Sequence, residues 1–500
     1  MNRMEVQASI LFIIYMRRFE KYFLPGILGI SLLTVYLLTL APGLTWANRG
    51  ADGGDLAAAA ATGGVAHPTG YPVYLLLART FQWLPIGSLA FRTNLLSALA
   101  AVCAALLVYG LVMRSLSAEG TSNRLAGLVA GFAFGLAPLV WSQAVITEVY
   151  ALHALFVALI LYLSAFPPGL KNFDLIFGLV FGLAMGNHIT IILLFPILII
   201  SLFSFQQKKW HRLLLRLAGM GLGLLVYLIL PLRASMHPLI NWGNPVTLDG
   251  FGWLVSGQLY QRELFAQTAS SLLERTQSSA ALLLDQFGVV GLMVGFIGLI
   301  FCFRSSAFYR NTVWTMAVFS VFAILYATDD SYVYLIPAAL CFAIWLGLGL
   351  DFITIWVTQR IPKLDLATGV LLLIYLFIVA AGHWPQVDAS KDHRAEQFAE
   401  SVLIQAPPDA VVFASGDQAI FSLWYYHYAL HRRPDIAVVA SELLGFDWYL
   451  DTLRTNYPSL NVPNPAPWPQ TIIQTNPDRP ICYAQFEEQM LVYCSQTSNP

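Results

Sequence analysis

The stretch from Asn172 to Phe203, NFDLIFGLVFGLAMGNHITIILLFPILIISLF, decides how the whole chain is divided. It is apolar almost throughout, and it is too long for one ordinary membrane crossing, since a helix needs roughly 20 residues to cross about 30 Å of hydrocarbon. Lys171 precedes it and Lys208 and Lys209 follow it, and basic residues favour the cytoplasmic side at both ends. The run therefore reads as a helical hairpin of two short helices that turns outward at Gly186, Asn187 and His188. Helices this short leave a cavity beneath the outer surface.

Working outward, the rest of the chain has the same character. Of its 500 residues 57% are hydrophobic and 11% are charged, roughly half the charged share of a soluble domain. The apolar material must face lipid. The net charge of −1 excludes a nucleic-acid partner, which needs a concentrated basic surface. Dividing the apolar runs by length places spans near 22–44, 92–113, 125–140, 149–167, 172–186, 189–205, 213–232, 283–303, 312–328, 332–350 and 365–382, about eleven in all.

Reading the connections alternately as inside and outside puts Arg17, Arg18, Lys21, Arg114, Arg124, Lys171, Lys208, Lys209, Arg212, Arg216, Arg304, Arg310, Arg360 and Lys363 in the cytoplasm. The outer connections keep about six Arg and no Lys. The amino terminus is then inside, and everything after His383 lies outside. Its short apolar stretch, Ala8 to Met16, precedes its basic residues, the wrong order for a signal peptide, and reads as a cytoplasmic interfacial lead-in. The expected fold class is an α-helical polytopic protein of the cell membrane with a small extracytoplasmic α/β domain at its carboxyl end. Residues 1–384 form the membrane part and residues 385–500 the soluble part.

Two outer connections are long, residues 45–91 and 234–282. The first holds an apolar stretch, Val73 to Leu84, too short to span and expected to lie in the interface. The second contains FGWLVSGQLYQRELF, with aromatic and apolar spacing that also suits an interfacial helix. From Gln386 the composition becomes that of a soluble layer fold. AVVFASG and DIAVVAS read as buried strands, Asp417 to His431 and Asp447 to Tyr457 as helices, and PICYAQ and MLVYCS as a closing strand pair. No metal-binding Cys/His spacing occurs among the five cysteines. Cys103, Cys302 and Cys341 lie in apolar runs as small core residues, whereas Cys482 and Cys494 are close enough to bridge a hairpin in an extracytoplasmic tail.

Ionisable residues gather at the outward ends of these spans. GADGGDLAAAA places Asp52 and Asp55 in a glycine-rich segment beside the membrane surface, where a carboxylate serves as general base, metal ligand or helix cap. A turn residue and a helix cap are the plain alternatives for Asp52 and Asp55, and the need for a divalent metal stays open. His67 and Tyr71 in HPTGYP, Glu148 and Tyr150 in ITEVYALH, and Asn187 and His188 in GNHIT share that side. Each alone is explained as a satisfied structural residue. Their convergence is the stronger signal, because charge placed centrally in a membrane costs about 2.5–3.5 kcal/mol on insertion scales. Arg79, Arg92 and Arg233 add cations suited to phosphate, with snorkelling to headgroups as the alternative. In the tail, Asp417 follows a strand as a ligand group or, more simply, a helix cap.

The run DGGDLAAAAATGGVAHPTGYPVYLLLARTFQWLP with FRTNLLSAL, then WSQAVITEVYALHALF, GLAMGNHIT, LPLRA and NWGNP, resembles the family related to protein O-mannosyltransferases. In that family the first-loop pattern is usually Asp-Ser-Gly-Glu. Here it is Asp52-Gly53-Gly54-Asp55, and the family's Pro-Pro-Gly-Tyr-Pro is Pro68-Thr69-Gly70-Tyr71-Pro72. The likeness is strongest over residues 50–260 and extends more weakly into SGDQAIFSLWYYHYALHRRPDIAVV.

The resemblance implies the C-class glycosyltransferase (GT-C) fold, a polyprenyl-phosphate sugar as donor, mannose among the candidate sugars, and a protein Ser/Thr hydroxyl as extracytoplasmic acceptor. Asp52, at the family's leading acidic position, is the expected general base with Asp55 as the alternative catalytic carboxylate, and one carboxylate acting against a competent lipid-phosphate leaving group inverts the anomeric configuration. By placement, His67, Tyr71, Arg92, Glu148, Tyr150, Asn187, His188 and Arg233 are expected about the substrate. A lipid or cell-surface glycan is the alternative acceptor, and a lipid-linked sugar flippase the alternative class. A transporter would more often place such groups at the midplane on inverted repeats, which the sequence does not display.

Overall fold

The computed structural model describes residues 23–118, 123–204, 209–264, 266–301, 306–361, 364–463, 469–486 and 490–495. The amino-terminal lead-in with Arg17, Arg18 and Lys21 lies outside these residues, as do Lys208, Cys302, Arg304 and Lys363. The chain opens with α1 (Phe23–Thr39). The first long connection, expected on the outer side, carries α2 (Gly53–Thr62) and α3 (Pro72–Gln82), and α4 (Leu89–Ala118) follows. The next helices are α5 (Arg124–Gly135), α6 (Pro138–Ala144), α7 (Tyr150–Ala165) and α8 (Phe173–Asn187). A 3-10 segment, Ile189–Leu194, leads into α9 (Phe195–Ile200), then α10 (Lys209–Leu224) and α11 (Ile229–Ala234). The second long connection carries α12 (Leu248–Val255), and the membrane part ends with α13 (Ala269–Phe301), α14 (Ala307–Leu325), α15 (Ile336–Thr358) and α16 (Asp365–Val387).

Among the described residues six helices are long and apolar enough to cross a membrane, or seven when α5 and α6, bent by 65°, count as one span. Pro138 at the start of α6 explains that bend, since it offers no N–H to continue α5. The segments Phe23–Thr39, Tyr150–Ala165, Phe173–Asn187 and Ile189–Ile200 are apolar but shorter. All the expected spans coincide with helix, while length and apolarity qualify six or seven of them. The chain is an integral membrane protein.

The deciding stretch breaks where its polar residues stand. His188 is extended (φ −155°, ψ 126°), and its ring accepts from the Thr190 N–H, so α8 stops and the 3-10 segment begins. Small residues let α8 lie directly on α10: a Cβ at Gly178 would come within 2.0 Å of the Arg216 carbonyl, and one at Gly219 within 2.1 Å of the Leu175 carbonyl. Asp174 fixes the register by accepting from both Arg212 and Arg216 at 2.8 Å. At the other side of the bundle α15 is buried from Ile336 to Asp351, while Phe352, Ile355 and Trp356 in its last turns are exposed.

Beyond α16 come α17 (Arg394–Gln405), β1 (Val411–Ser415), α18 (Asp417–Trp424), β2 (Ala437–Ala440), α19 (Asp447–Asn456), α20 (Pro469–Thr475), β3 (Ile481–Phe486) and β4 (Met490–Ser495). The sheet order is β2-β1-β3-β4, with β1 parallel to both neighbours and β4 antiparallel to β3. Cys482 and Cys494 face each other across β3 and β4 and form a disulfide. This sheet domain is clamped to the first long connection. Asp392 Oδ2 accepts from Thr45 Oγ1, Trp46 N and Ala47 N at 2.6, 2.9 and 2.7 Å, and Trp46 Nε1 donates to Ser422 Oγ at 3.0 Å.

Candidate active site

Asp52 and Asp55, three residues apart at the start of α2, take different environments. Asp52 stands just before the helix, and its side chain makes no capping hydrogen bond. Its carboxylate, 36% exposed, faces a cavity and lies 3.6 Å from His67 Nε2. Asp55 is wholly buried and does not face that cavity. Its Oδ2 accepts from the His67 backbone N–H at 2.9 Å and bonds the ring Nδ1 at 2.7 Å, while its Oδ1 accepts from Trp242 Nε1 at 3.1 Å. The order Trp242, Asp55, His67, Asp52 is therefore a line of contacts in which Asp55 orients the imidazole and the imidazole meets Asp52.

Gly54 is what admits the sheet domain to this site. A Cβ there would fall 2.4 Å from the Phe421 carbonyl, so α18 rests on the backbone of α2. That approach carries Asp417, the first residue of α18, to the cavity wall. Gly416 (φ 84°) stands in the capping position instead, so the simple cap reading of Asp417 is not what the structure has.

The cavity, of about 420 Å³, is walled by Asp52, His67, Asp330 and Asp417 and by the phenols of Tyr71, Tyr150, Tyr260, Tyr326 and Tyr334. The rest of its lining is mixed: Ile189, Ile192 and Leu193 from the break after α8, with Leu264 and Phe322, stand beside the polar side chains of Thr69, His188, Thr190, Ser256, Gln261 and Thr328. His188 lies among the rings of Tyr71, Tyr150 and Tyr334, with centroids 5.6 to 6.0 Å apart, and its Nδ1 is 2.8 Å from Thr190 Oγ1.

Burial pushes the Asp52 carboxyl up to about 6, against the lowering effect of His67 and with further raising from Asp417. Burial works against the His67 cation, but Asp52 and then Asp55 outweigh it and hold the imidazole at about 9. Burial also raises Asp417, which His67 opposes. Around neutral pH the cavity thus holds an ionised Asp52 beside a protonated His67.

Of the expected site residues, Asp52, His67, Tyr71, Tyr150 and His188 line the cavity. Glu148 is buried behind it within electrostatic reach of Asp52 and His67. Asn187 is buried too, donating to the Val149 carbonyl at 3.3 Å. The arginines are not brought there. Arg92 donates to the carbonyls of Ile86, Gln82 and Gly87, and Arg233 to that of Gly64 at 3.2 Å, so both tie down backbone of the first long connection. Neither guanidinium lines this cavity; each donates to a backbone carbonyl nearer in the fold.

Asp330, Tyr260, Tyr326 and Tyr334 were not singled out from sequence. Asp330 lies in ATDDSYVYLI, at the outward end of a span, where the reasoning applied to Glu148 would have found it. Among the described residues no three His, Cys, Asp or Glu converge as a metal site.

Residues 52–213 match the family described as the Protein O-mannosyl-transferase TMEM260 N-terminal domain, and residues 395–490 match TMEM260-associated domain 2. The chain is 28% identical over 474 residues to Protein O-mannosyl-transferase TMEM260 of Mus musculus, covering 87% of this chain and 64% of that protein. With Protein O-mannosyl-transferase tmem260 of Dictyostelium discoideum it shares 23% identity over 480 residues, covering 85% and 58%. It therefore spans less than two thirds of the length of these curated relatives.

Among solved structures, ArnT from Cupriavidus metallidurans bound to undecaprenyl phosphate superposes with a TM-score of 0.58 over 92% of each chain at 13% identity. The oligosaccharyltransferase of Archaeoglobus fulgidus in its apo form does so with a TM-score of 0.56 over 90% of this chain and 69% of that one, at 12% identity. At those identities the likeness is one of fold. By its two matched regions, its relatives and that fold, the chain belongs to the protein O-mannosyltransferase-related family of GT-C membrane proteins.

Proposed function

We propose that this protein is an inverting membrane glycosyltransferase that moves a sugar, mannose by the relatives' names, from a polyprenyl-phosphate carrier to a Ser or Thr hydroxyl of an extracytoplasmic protein. The observation that carries the reading is Asp52: a carboxylate on a cavity whose wall of acidic, histidine and tyrosine side chains is joined, at the break after α8, by Ile189, Ile192 and Leu193. The polar side chains suit a sugar phosphate and the apolar ones the start of an isoprenoid tail. The undecaprenyl phosphate in the ArnT structure's description supports that class of carrier.

A hydroxyl is a weak nucleophile at neutral pH, whereas the lipid phosphate is already a competent leaving group. In this reading Asp52 takes the proton of the acceptor hydroxyl as its oxygen attacks the anomeric carbon. The bond to the phosphate oxygen breaks on the opposite face, and the anomeric configuration inverts. With the arginines engaged elsewhere, the His67 cation is the charge available to the departing phosphate. Purified protein incubated with labelled polyprenyl-phosphate mannose and a Ser/Thr-bearing acceptor should yield a mannosylated protein of inverted configuration. Labelled glycan or lipid in place of labelled protein overturns the acceptor assignment, and no transfer to any acceptor overturns the enzyme reading.

The reading also needs the site outside the cytoplasm. We place eleven spans, the four shorter apolar segments included, with the amino terminus inside. The division at 384/385 then falls in the last turn of α16, and the sheet domain lies outside. A reporter enzyme active only outside the cytoplasm, fused after Val387, should be active. Activity only of a cytoplasmic reporter at that position refutes the topology.

A further inference from the structure

A second cleft, of about 340 Å³, opens between the second long connection and α19. Its lining includes Asn241, Asn244, Asp451, Thr452, Arg454 and Asn456. Asn241 is only 5% exposed, and its Oδ1 has no hydrogen-bond partner among the described residues, although its Nδ2 donates to Asn244 Oδ1 at 3.1 Å. A buried amide oxygen without a donor costs about 1–3 kcal/mol, so a site that retains one is suited to a ligand that brings an N–H or O–H.

The cleft is joined to the catalytic region by main chain. The Val65 N–H donates to the Ile240 carbonyl at 2.9 Å and the Trp242 N–H to the Val65 carbonyl at 3.3 Å, which makes 240–242 a short extended neighbour of the segment that bears His67. Successive side chains of an extended segment point to opposite faces. Trp242 reaches Asp55, and Asn241 lines the cleft behind it.

The lining indicates what the cleft takes. Arg454 is paired with Asp451 at 2.8 Å, so the guanidinium is compensated, and His237 is the other titratable group on the wall. Among the described residues the imidazole of His237 is the one aromatic ring on its wall, in contrast to the five tyrosines of the main cavity. It also presents the primary amides of Asn241, Asn244 and Asn456 and the hydroxyls of Thr452 and Thr455, the complement of a peptide group with one donor and one acceptor.

We propose that this cleft is a subsite for an extended stretch of the acceptor polypeptide, held through its peptide groups away from the residue that receives the sugar. The inference rests on the protein-acceptor reading above. Binding there is the same before and during sugar transfer, so it lowers KM for the acceptor without raising kcat.

Thr455 stands exposed on the rim, and Thr455→Trp fills the cleft without touching the core. The full chain in micelles is titrated with a fluorescent peptide of Thr, Ala, Ser and Gly, without donor, and followed by anisotropy. Thr455→Trp should weaken peptide binding at least about tenfold. Its hydrolysis of the lipid-linked donor by water should equal that of the unsubstituted protein, which checks folding. Equal peptide affinity in the two proteins overturns the inference, as does binding of a neutral oligosaccharide that the same substitution abolishes. Since the peptide measurement needs no turnover, failure of the transferase reading would show separately, as absence of donor cleavage and transfer.

Discussion

Replacing Asp52 by asparagine should lower turnover by at least about 10²-fold while leaving affinity for the lipid-linked donor nearly unchanged, since general-base catalysis typically contributes about 10²–10⁴. The substitution keeps shape and removes only the capacity to take a proton. Asp52 accepts no capping bond in α2, so the variant should fold and insert normally. The pH profile supplies an independent check. Burial has raised the Asp52 carboxyl to about 6, so its protonated form persists to a higher pH than that of an ordinary aspartate. Turnover by the unsubstituted protein should therefore fall as pH drops through about 6, approaching tenfold per unit below it, and this limb should vanish in the residual activity of the variant. Near-normal turnover in a correctly inserted Asp52→Asn protein refutes the assignment, and an acid limb at the usual carboxylate pH near 4 refutes the raised Asp52 carboxyl.

The membrane class was legible because it rests on composition and run length, which tertiary contacts do not override. The hairpin break was legible for a related reason: Gly186, Asn187 and His188 are polar or flexible residues inside an apolar run, and the helix ends among them. That Asp52, His67, Tyr71, Tyr150 and His188 would gather could be read as well, and they line one cavity. What sequence could not supply was the direction of each side chain. Arg92 and Arg233 look like phosphate ligands by charge and depth, yet whether a guanidinium reaches a cavity or a neighbouring carbonyl depends on loop paths that charge does not encode. Asp417 and Asp330 reach the site from over 270 residues away along the chain, by packing of α18 on α2 and by the connection between α14 and α15. Such long-range placement leaves no local pattern. Gly54 is a partial exception, since a glycine between two functional carboxylates marks a close backbone approach, although not what approaches.

Asp55→Asn should be the more destabilising change and a weaker blow to chemistry per se, the opposite balance from Asp52→Asn. Asp55 is wholly buried, and all three of its partners are donors: the His67 N–H, His67 Nδ1 and Trp242 Nε1. An asparagine has one carbonyl oxygen, so in either orientation its NH₂ faces a donor, and at least one buried donor is left without an acceptor. The expected loss of stability is about 1–3 kcal/mol, read as a lower midpoint of thermal unfolding. The His67 contribution to stability has its own pH signature. Its folded value is raised above the unfolded one, so that contribution is fully present below about 6.5 and lost as pH rises through about 9. Asp55→Asn should flatten that alkaline decline. Turnover should fall as well, because an imidazole without its orienting carboxylate is less often charged and less often beside Asp52. Asp55→Glu, which restores a carboxylate, should recover part of the activity. These outcomes belong to a positioning residue. A fully inactive Asp55→Asn protein of undiminished stability, together with an active Asp52→Asn protein, would make Asp55 the base and Asp52 its neighbour.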